Sequence, residues 1–217
     1  MPIFSAQAAD IPLYGSGYST NFKVQSYKER QFKTVVRQQF DFSCGSAALA
    51  TLLDYHYDWP VDERDVLISM YAKGDKEKIR KEGFSLLDMK QYLASIGFKA
   101  NGFRTDLNKL NSVGIPAIVL INNAGYLHFV VVKGVTQHRV LVGDPAIGLK
   151  VFERSAFEKM WNGILFVILN DKEYAQQTFN RDQDWKTKEK ANFDAALSDQ
   201  ALAGFTVHIS PTPGYFY

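Results

Sequence analysis

The chain has 217 residues, 46% of them apolar, enough to bury the core of one domain with an appended segment but a tight fit for two. Its 25 Lys and Arg against 23 Asp and Glu leave a net charge of +2 spread along the length, so the composition carries no electrostatic footprint for nucleic acid or an anionic membrane. No uncharged apolar run approaches the roughly 18 residues a membrane span needs, and a single cysteine excludes an intramolecular disulfide. The four histidines, His56, His128, His138 and His208, are scattered, and none stands at the short spacing from Cys44 that a structural zinc site uses. Neither a metal nor another cofactor is expected.

In chain order, "MPIFSAQAAD" holds small-x-small triplets ending at Ala8 and Ala9, the pattern that precedes signal cleavage. With no basic start and a short apolar stretch before them, residues to about 9 are read as the end of a secretory signal; an ordinary Ala-rich N-terminus accounts for them equally well. Residues 1–32 are otherwise rich in Gly, Ser, Tyr and Asn without sustained periodicity, which predicts an irregular arm. From Cys44 the apolar positions Ala47, Ala48, Leu49, Leu52, Leu53 and Tyr55 predict an amphipathic helix to about Tyr57, with Ser43 as its N-cap. "DWPVDERDVLISMYAKG" predicts a second helix with Pro60 early and Gly74 beyond its end. The mixed charges of residues 74–83 read as a solvated loop or helix face. A further helix starts at Ser85, with Asp88 completing a capping box, and stops at Gly97. A short strand, "KANGF", and a short helix at "DLNKLN" come next.

The second half changes character. "PAIVLIN", "YLHFVVVKG", "HRVLVGDP", "GLKVFE" and "GILFVIL" are short β-branched or aromatic runs between turn residues, which predicts an antiparallel sheet. Helices followed by strands give an α+β fold, helices packed on a C-terminal antiparallel sheet. After Leu169 the chain turns polar, with a helical pattern in "DAALSDQALAG" and an aromatic end, "SPTPGYFY".

Residues 126–144 fold into a hairpin by hand. A turn centred on Thr136 pairs Val132 with Val140, Val130 with Val142 and His128 with Asp144, so an imidazole and a carboxylate face one another about 5 Å apart. The register is sensitive, because a slip of one residue puts them on opposite faces. Combined with Cys44 they form a set suited to acyl transfer. An adjacent imidazole and a helix N-terminus both favour a thiolate, and a carboxylate orients the ring while the ring protonates the leaving amine. The backbone N–H of Cys44 and a side-chain amide from Gln38 or Gln39 are candidate oxyanion donors. From the residues alone, two exposed polar side chains account for the Gln pair better. Gly45 leaves room for a substrate to lie close to the sulfur.

"VVRQQFDFSCGSAALATLL", "HFVVVKGV" and "VLVGDPAIG" together resemble the cysteine, histidine and Asp-Pro motifs of the C39 peptidase family, in the family's order, over about residues 33–170. The resemblance implies a papain-like α+β fold, with Cys44 as nucleophile, His128 as general base and acid, Asp144 as orienting acid and Gln38 as an oxyanion-hole donor. It divides the chain into an arm at 1–32, a peptidase domain at 33–170 and an extension at 171–217. It implies a cysteine endopeptidase whose partner is a polypeptide substrate. The stand-alone members, including those encoded with bacterial functional-amyloid export systems, are the nearest in organisation, so an amyloid subunit or export component is the expected partner and the periplasm the expected location. Cleavage near a Gly-Gly pair belongs to the transporter-linked members. A non-enzymatic substrate-binding module assisting export, another acyl-transfer enzyme such as a transglutaminase or cell-wall amidase, and a domain in which Cys44 is only core filler are the alternatives.

Overall fold

The computed structural model of the chain describes residues 9–15, 18–24 and 27–186. The expected helix in "DAALSDQALAG", the aromatic end and most of the signal-like stretch lie outside the described residues.

The N-terminal residues are more regular than their composition predicts. β1 (Ala9–Gly15) and β2 (Tyr18–Val24) pair antiparallel from Ala9↔Val24 to Gly15↔Tyr18, and α1 (Tyr27–Gln31) follows. Aromatic and β-branched residues such as Tyr18, Thr20 and Val24 suit a strand. Gly15 and Ser19, which suggested an irregular arm, lie within these paired strands.

The helical half follows the sequence pattern closely. α2 (Cys44–His56) is buried along most of its length, from Cys44 through Leu53. α3 (Glu63–Lys73) starts later than Pro60 suggested, because the Asp62 carboxylate caps it by accepting from the Arg64 N–H. α4 (Lys76–Glu82) occupies the charged stretch. α5 (Leu86–Ser95) opens with the capping box of Ser85 and Asp88. β3 (Ala100–Arg104) and α6 (Leu107–Val113) complete this half.

β4 (Ala117–Asn123), β5 (Tyr126–Val135), β6 (Arg139–Asp144), β7 (Gly148–Glu153) and β8 (Trp161–Ile168) join β3 in a 6-stranded antiparallel sheet of order β3-β8-β4-β5-β6-β7. Between β7 and β8 lies α7 (Arg154–Met160), unmarked by the sequence pattern, its Phe157 fully buried against Phe152 and Trp161. The polar stretch after Leu169 contains α8 (Lys172–Gln177) and α9 (Asp182–Lys186).

The hairpin register differs from the hand-built one. Val131 pairs with Gly143 and Val132 with Val142; the ladder then shifts at Lys133 and resumes with Gly134↔Leu141 and Val135↔Val140. The bulge has an identifiable cause: the Lys133 carbonyl accepts from the Asn180 N–H at 2.9 Å, and its side chain turns to Thr34. Near the site the displacement amounts to two residues, so His128 and Asp144 become diagonal neighbours and stay on one face.

One core joins α2, α3 and α5 to the sheet, with Leu49, Leu52, Val130 and Val132 fully buried. Gly45 belongs to it. A Cβ there would meet Met89 Cε at 2.9 Å, Phe84 Cβ at 3.1 Å and Phe129 Cδ2 at 3.6 Å. The space that the sequence reading reserved for a substrate is therefore filled by the protein, and glycine serves to seat the first turn of α2. Gly45→Ala is expected to cost about 1–3 kcal/mol by overpacking, measured in a urea melt. An unchanged midpoint would show that Met89 and Phe84 yield freely.

Candidate active site

The site lies where the first turn of α2 meets the adjoining ends of β5 and β6. Ser43 stands at the N-cap position of α2 without capping it. Its hydroxyl instead closes a tight loop, donating to the Phe40 carbonyl at 3.0 Å and accepting from the Phe40 N–H at 3.1 Å. The expected Ser43 cap is thus replaced by a loop clasp, which brings the "QQFDF" segment back over the start of the helix. Under this turn, Ser46 Oγ lies 2.8 Å from Glu63 Oε1, and burial raises the pKa of Glu63 against the lowering effect of the Ser46 and Ser43 hydroxyls.

His128 and Asp144 form the centre. Nε2 of His128 lies 2.7 Å from Asp144 Oδ1, and both side chains are buried. The same Oδ1 accepts from the Ala146 N–H at 2.8 Å, so the turn after β6 holds the carboxylate in place. Gly148 shapes that turn: it has φ +85°, and a Cβ there would stand 2.6 Å from the Gln31 carbonyl at the end of α1. With Nε2 committed to Asp144, the nitrogen left for chemistry is Nδ1, which is buried and has no hydrogen-bond partner among the described residues.

Cys44 is a free thiol, 7% exposed, at the first position of α2. Its sulfur acts on the His128 ring without a formed hydrogen bond to Nδ1. Burial is the largest single influence on the ring and pushes its pKa down. The Asp144 hydrogen bond, the Cys44 sulfur and the charges of both outweigh that, raising His128 from 6.5 to about 9. At neutral pH the ring is an imidazolium between a carboxylate and a sulfur.

The structure brings Gln38 to this side of the molecule by its backbone, whose N–H donates to the Pro145 carbonyl at 3.0 Å, next to Asp144. Its side-chain Nε2 donates to the Phe40 carbonyl at 3.1 Å, which leaves one of its two N–H groups for another acceptor. Gln39 is exposed.

Tyr126 is the neighbour that sequence reasoning missed. Its ring stacks on His128 at 5.8 Å and its hydroxyl donates to the Asp41 carbonyl at 3.2 Å, so it bridges the imidazole and the loop before Cys44. Burial, then the negative charges of Cys44, Asp41 and Asp144, raise its pKa. The signal available was its place two residues before His128, on the same strand face. Among the described residues no cluster of His, Cys, Asp and Glu could hold a metal ion, and no helix is long and apolar enough to cross a membrane.

This arrangement can be compared with known proteins. The Peptidase C39 family profile matches residues 32–173. The chain belongs to that family. Its C39 domain is a peptidase fold of the papain-like α+β type, and the protein is a hydrolase of peptide bonds. It is 45% identical over 167 residues to the probable functional amyloid protease FapD of Pseudomonas aeruginosa, spanning 76% of this chain and 74% of that protein. It is also 45% identical over 149 residues to the FapD protein of Pseudomonas fluorescens, spanning 69% of this chain and 66% of that protein. Among solved structures, a double glycine motif protease from an AMS/PCAT transporter, in complex with the leader peptide, superimposes with a TM-score of 0.52 at 27% identity, covering 62% of this chain and 89% of that one.

Proposed function

We propose that the protein is a cysteine endopeptidase that cuts an exported polypeptide of a functional-amyloid system through a thioester acyl-enzyme. The observation that carries this reading is the buried His128–Asp144 hydrogen bond of 2.7 Å beside the chain's single cysteine. The amyloid assignment rests on the likeness to FapD, and a cut near a Gly-Gly pair is the specificity that the likeness to the double glycine motif protease would add. The signal-like N-terminal triplets support a periplasmic location.

In this reading the Cys44 thiolate attacks the scissile carbonyl carbon and a C–S bond forms. The carbonyl oxygen takes up negative charge, which the Cys44 N–H and the free N–H of Gln38 receive. The C–N bond then breaks as Nδ1 of His128 gives its proton to the leaving amine. Water, deprotonated by the same Nδ1, hydrolyses the thioester and frees the sulfur. Asp144 keeps the ring oriented through both steps without taking the proton.

The test is the pH dependence of Cys44 alkylation by a small haloacetamide, in the native protein and in His128→Ala. Alkylation should persist well below pH 7 in the native protein, and that acid-side reactivity should disappear in the variant. A thiol inert until the protein unfolds, or identical profiles in the two proteins, would remove the activated pair.

A further inference from the structure

A cleft of about 230 Å³ opens beside the catalytic ring, lined by His128 and Asp144 but not by Cys44. It lies on one face of the sheet. Ile121 pairs with His128, Val142 with Lys150, and Val140 with Phe152, so with strand alternation all of these point the same way as Asp144. Ile121, Phe152 and Met160 give apolar walls, and Lys150 gives a cation.

Lys150 is half-buried, and its Nζ lies 4.5 Å from the Phe152 ring centroid. It forms no ion pair among the described residues. The other charges in the cleft are already matched, because Asp144 is held by the His128 ring and the Ala146 N–H. Among the described residues Lys150 is thus the cleft's charge without an opposite partner, set beside the apolar walls of Ile121, Phe152 and Met160.

The chemistry fixes which part of a substrate passes here. In acyl transfer the carbonyl carbon stands over the sulfur while the leaving nitrogen must lie within reach of the imidazole. A groove lined by the ring and its Nε2 partner Asp144, and not by the sulfur, lies past the imidazole from Cys44, the direction in which the chain beyond the leaving nitrogen continues. We infer that this cleft receives the residues that follow the scissile bond, and that Lys150 selects an acidic side chain among them. The inference rests on the peptidase reading above and adds a substrate class: polypeptides with an Asp or Glu shortly after the cut, accompanied by an apolar residue against Phe152 and Met160.

The experiment uses a mixed peptide library from a digested proteome, exposed to the native protein, Lys150→Ala, Lys150→Glu and Cys44→Ala, with the new N-termini sequenced by mass spectrometry. The native protein should enrich Asp and Glu in the first few positions after the cut by about five- to tenfold, as for one contact of ordinary hydrogen-bond strength at a half-buried lysine. Lys150→Ala should lose the enrichment, and Lys150→Glu should turn it toward Lys and Arg. Cuts that need Cys44 but show the same preferences in all Lys150 variants, or an acidic preference before the bond instead of after it, would overturn this inference alone. Absence of any Cys44-dependent cut would overturn the peptidase reading and the inference with it.

Discussion

Under the proposed mechanism, Cys44→Ala is expected to lower the kcat/KM for peptide cleavage by at least about 10⁴-fold, as loss of the nucleophile does in acyl-transfer enzymes, while leaving the fold intact. The side chain is small, makes no hydrogen bond that another residue depends on, and gives way to the residue with the highest helix propensity. Thermal melts and circular dichroism should therefore overlay those of the native protein. A well-folded Cys44→Ala protein that still cleaves would place the chemistry elsewhere.

Asp144→Asn probes the same machinery through its pH profile. Asp144 raises the His128 pKa by its hydrogen bond and its charge, so the ring keeps its proton up to about pH 9. Activity that needs an imidazolium proton donor then declines above about pH 9 in the native protein. Removing the negative charge should move that alkaline limb down by about 1–3 pH units, with kcat reduced by about 10²–10⁴-fold. The stability linked to this ring has a defined sign. Its folded pKa is raised, so its contribution is fully present below pH 6.5 and is lost as pH rises through about 9.

Most of the site was legible because its parts obey local rules. The run from Cys44 announces an amphipathic helix, and an even displacement of the β5–β6 register leaves His128 and Asp144 on one face, so the pair survives an incorrect pairing. What was not legible depends on distant partners. The bulge at Lys133 forms because Asn180 and Thr34, far along the chain in opposite directions, claim its backbone and its ammonium. Ser43 has the residue type of a cap, but Phe40 takes its hydroxyl. Gly45 suggests open space next to a nucleophile, and only the fold shows Met89 and Phe84 filling it. α7 is short and begins with no hydrogen-bonded side-chain cap, so its one strong reason to exist is the burial of Phe157.

The largest stability effect is expected behind the sheet, at Asp184. Lys133 is fully buried, its Nζ 2.6 Å from both the carbonyl and the hydroxyl oxygen of Thr34 and 3.3 Å from Asp184 Oδ2. Asp184 also accepts from Thr34 Oγ1 at 3.1 Å and from Arg181 Nη2 at 3.2 Å. This cluster fastens α9 to the strand that carries His128 and to the segment that leads through Gln38 into Cys44. Burial is the largest influence on Lys133 and holds its pKa down at about 8; Asp184 opposes that, and Arg181 adds to it. Asp184→Ala leaves burial and Arg181 both acting against the ammonium and should cost about 3–5 kcal/mol at pH 7. Lys133→Met should cost less, about 1–3 kcal/mol for the orphaned Thr34 carbonyl, because Asp184 keeps Arg181 and the Thr34 hydroxyl. The folded pKa of Lys133 lies below its ordinary 10.5, so the unfolded chain binds the extra proton between about pH 8 and 10.5. Stability therefore rises with pH across that window. Loss of Asp184 lowers the folded pKa of Lys133 further below 8, so the variant sheds the proton at lower pH than the native protein. The Asp184→Ala penalty should accordingly shrink in urea melts as pH rises toward about 8 and level off above it. Equal costs for the two variants, or a penalty that grows with pH, would show that the ammonium is not what Asp184 holds.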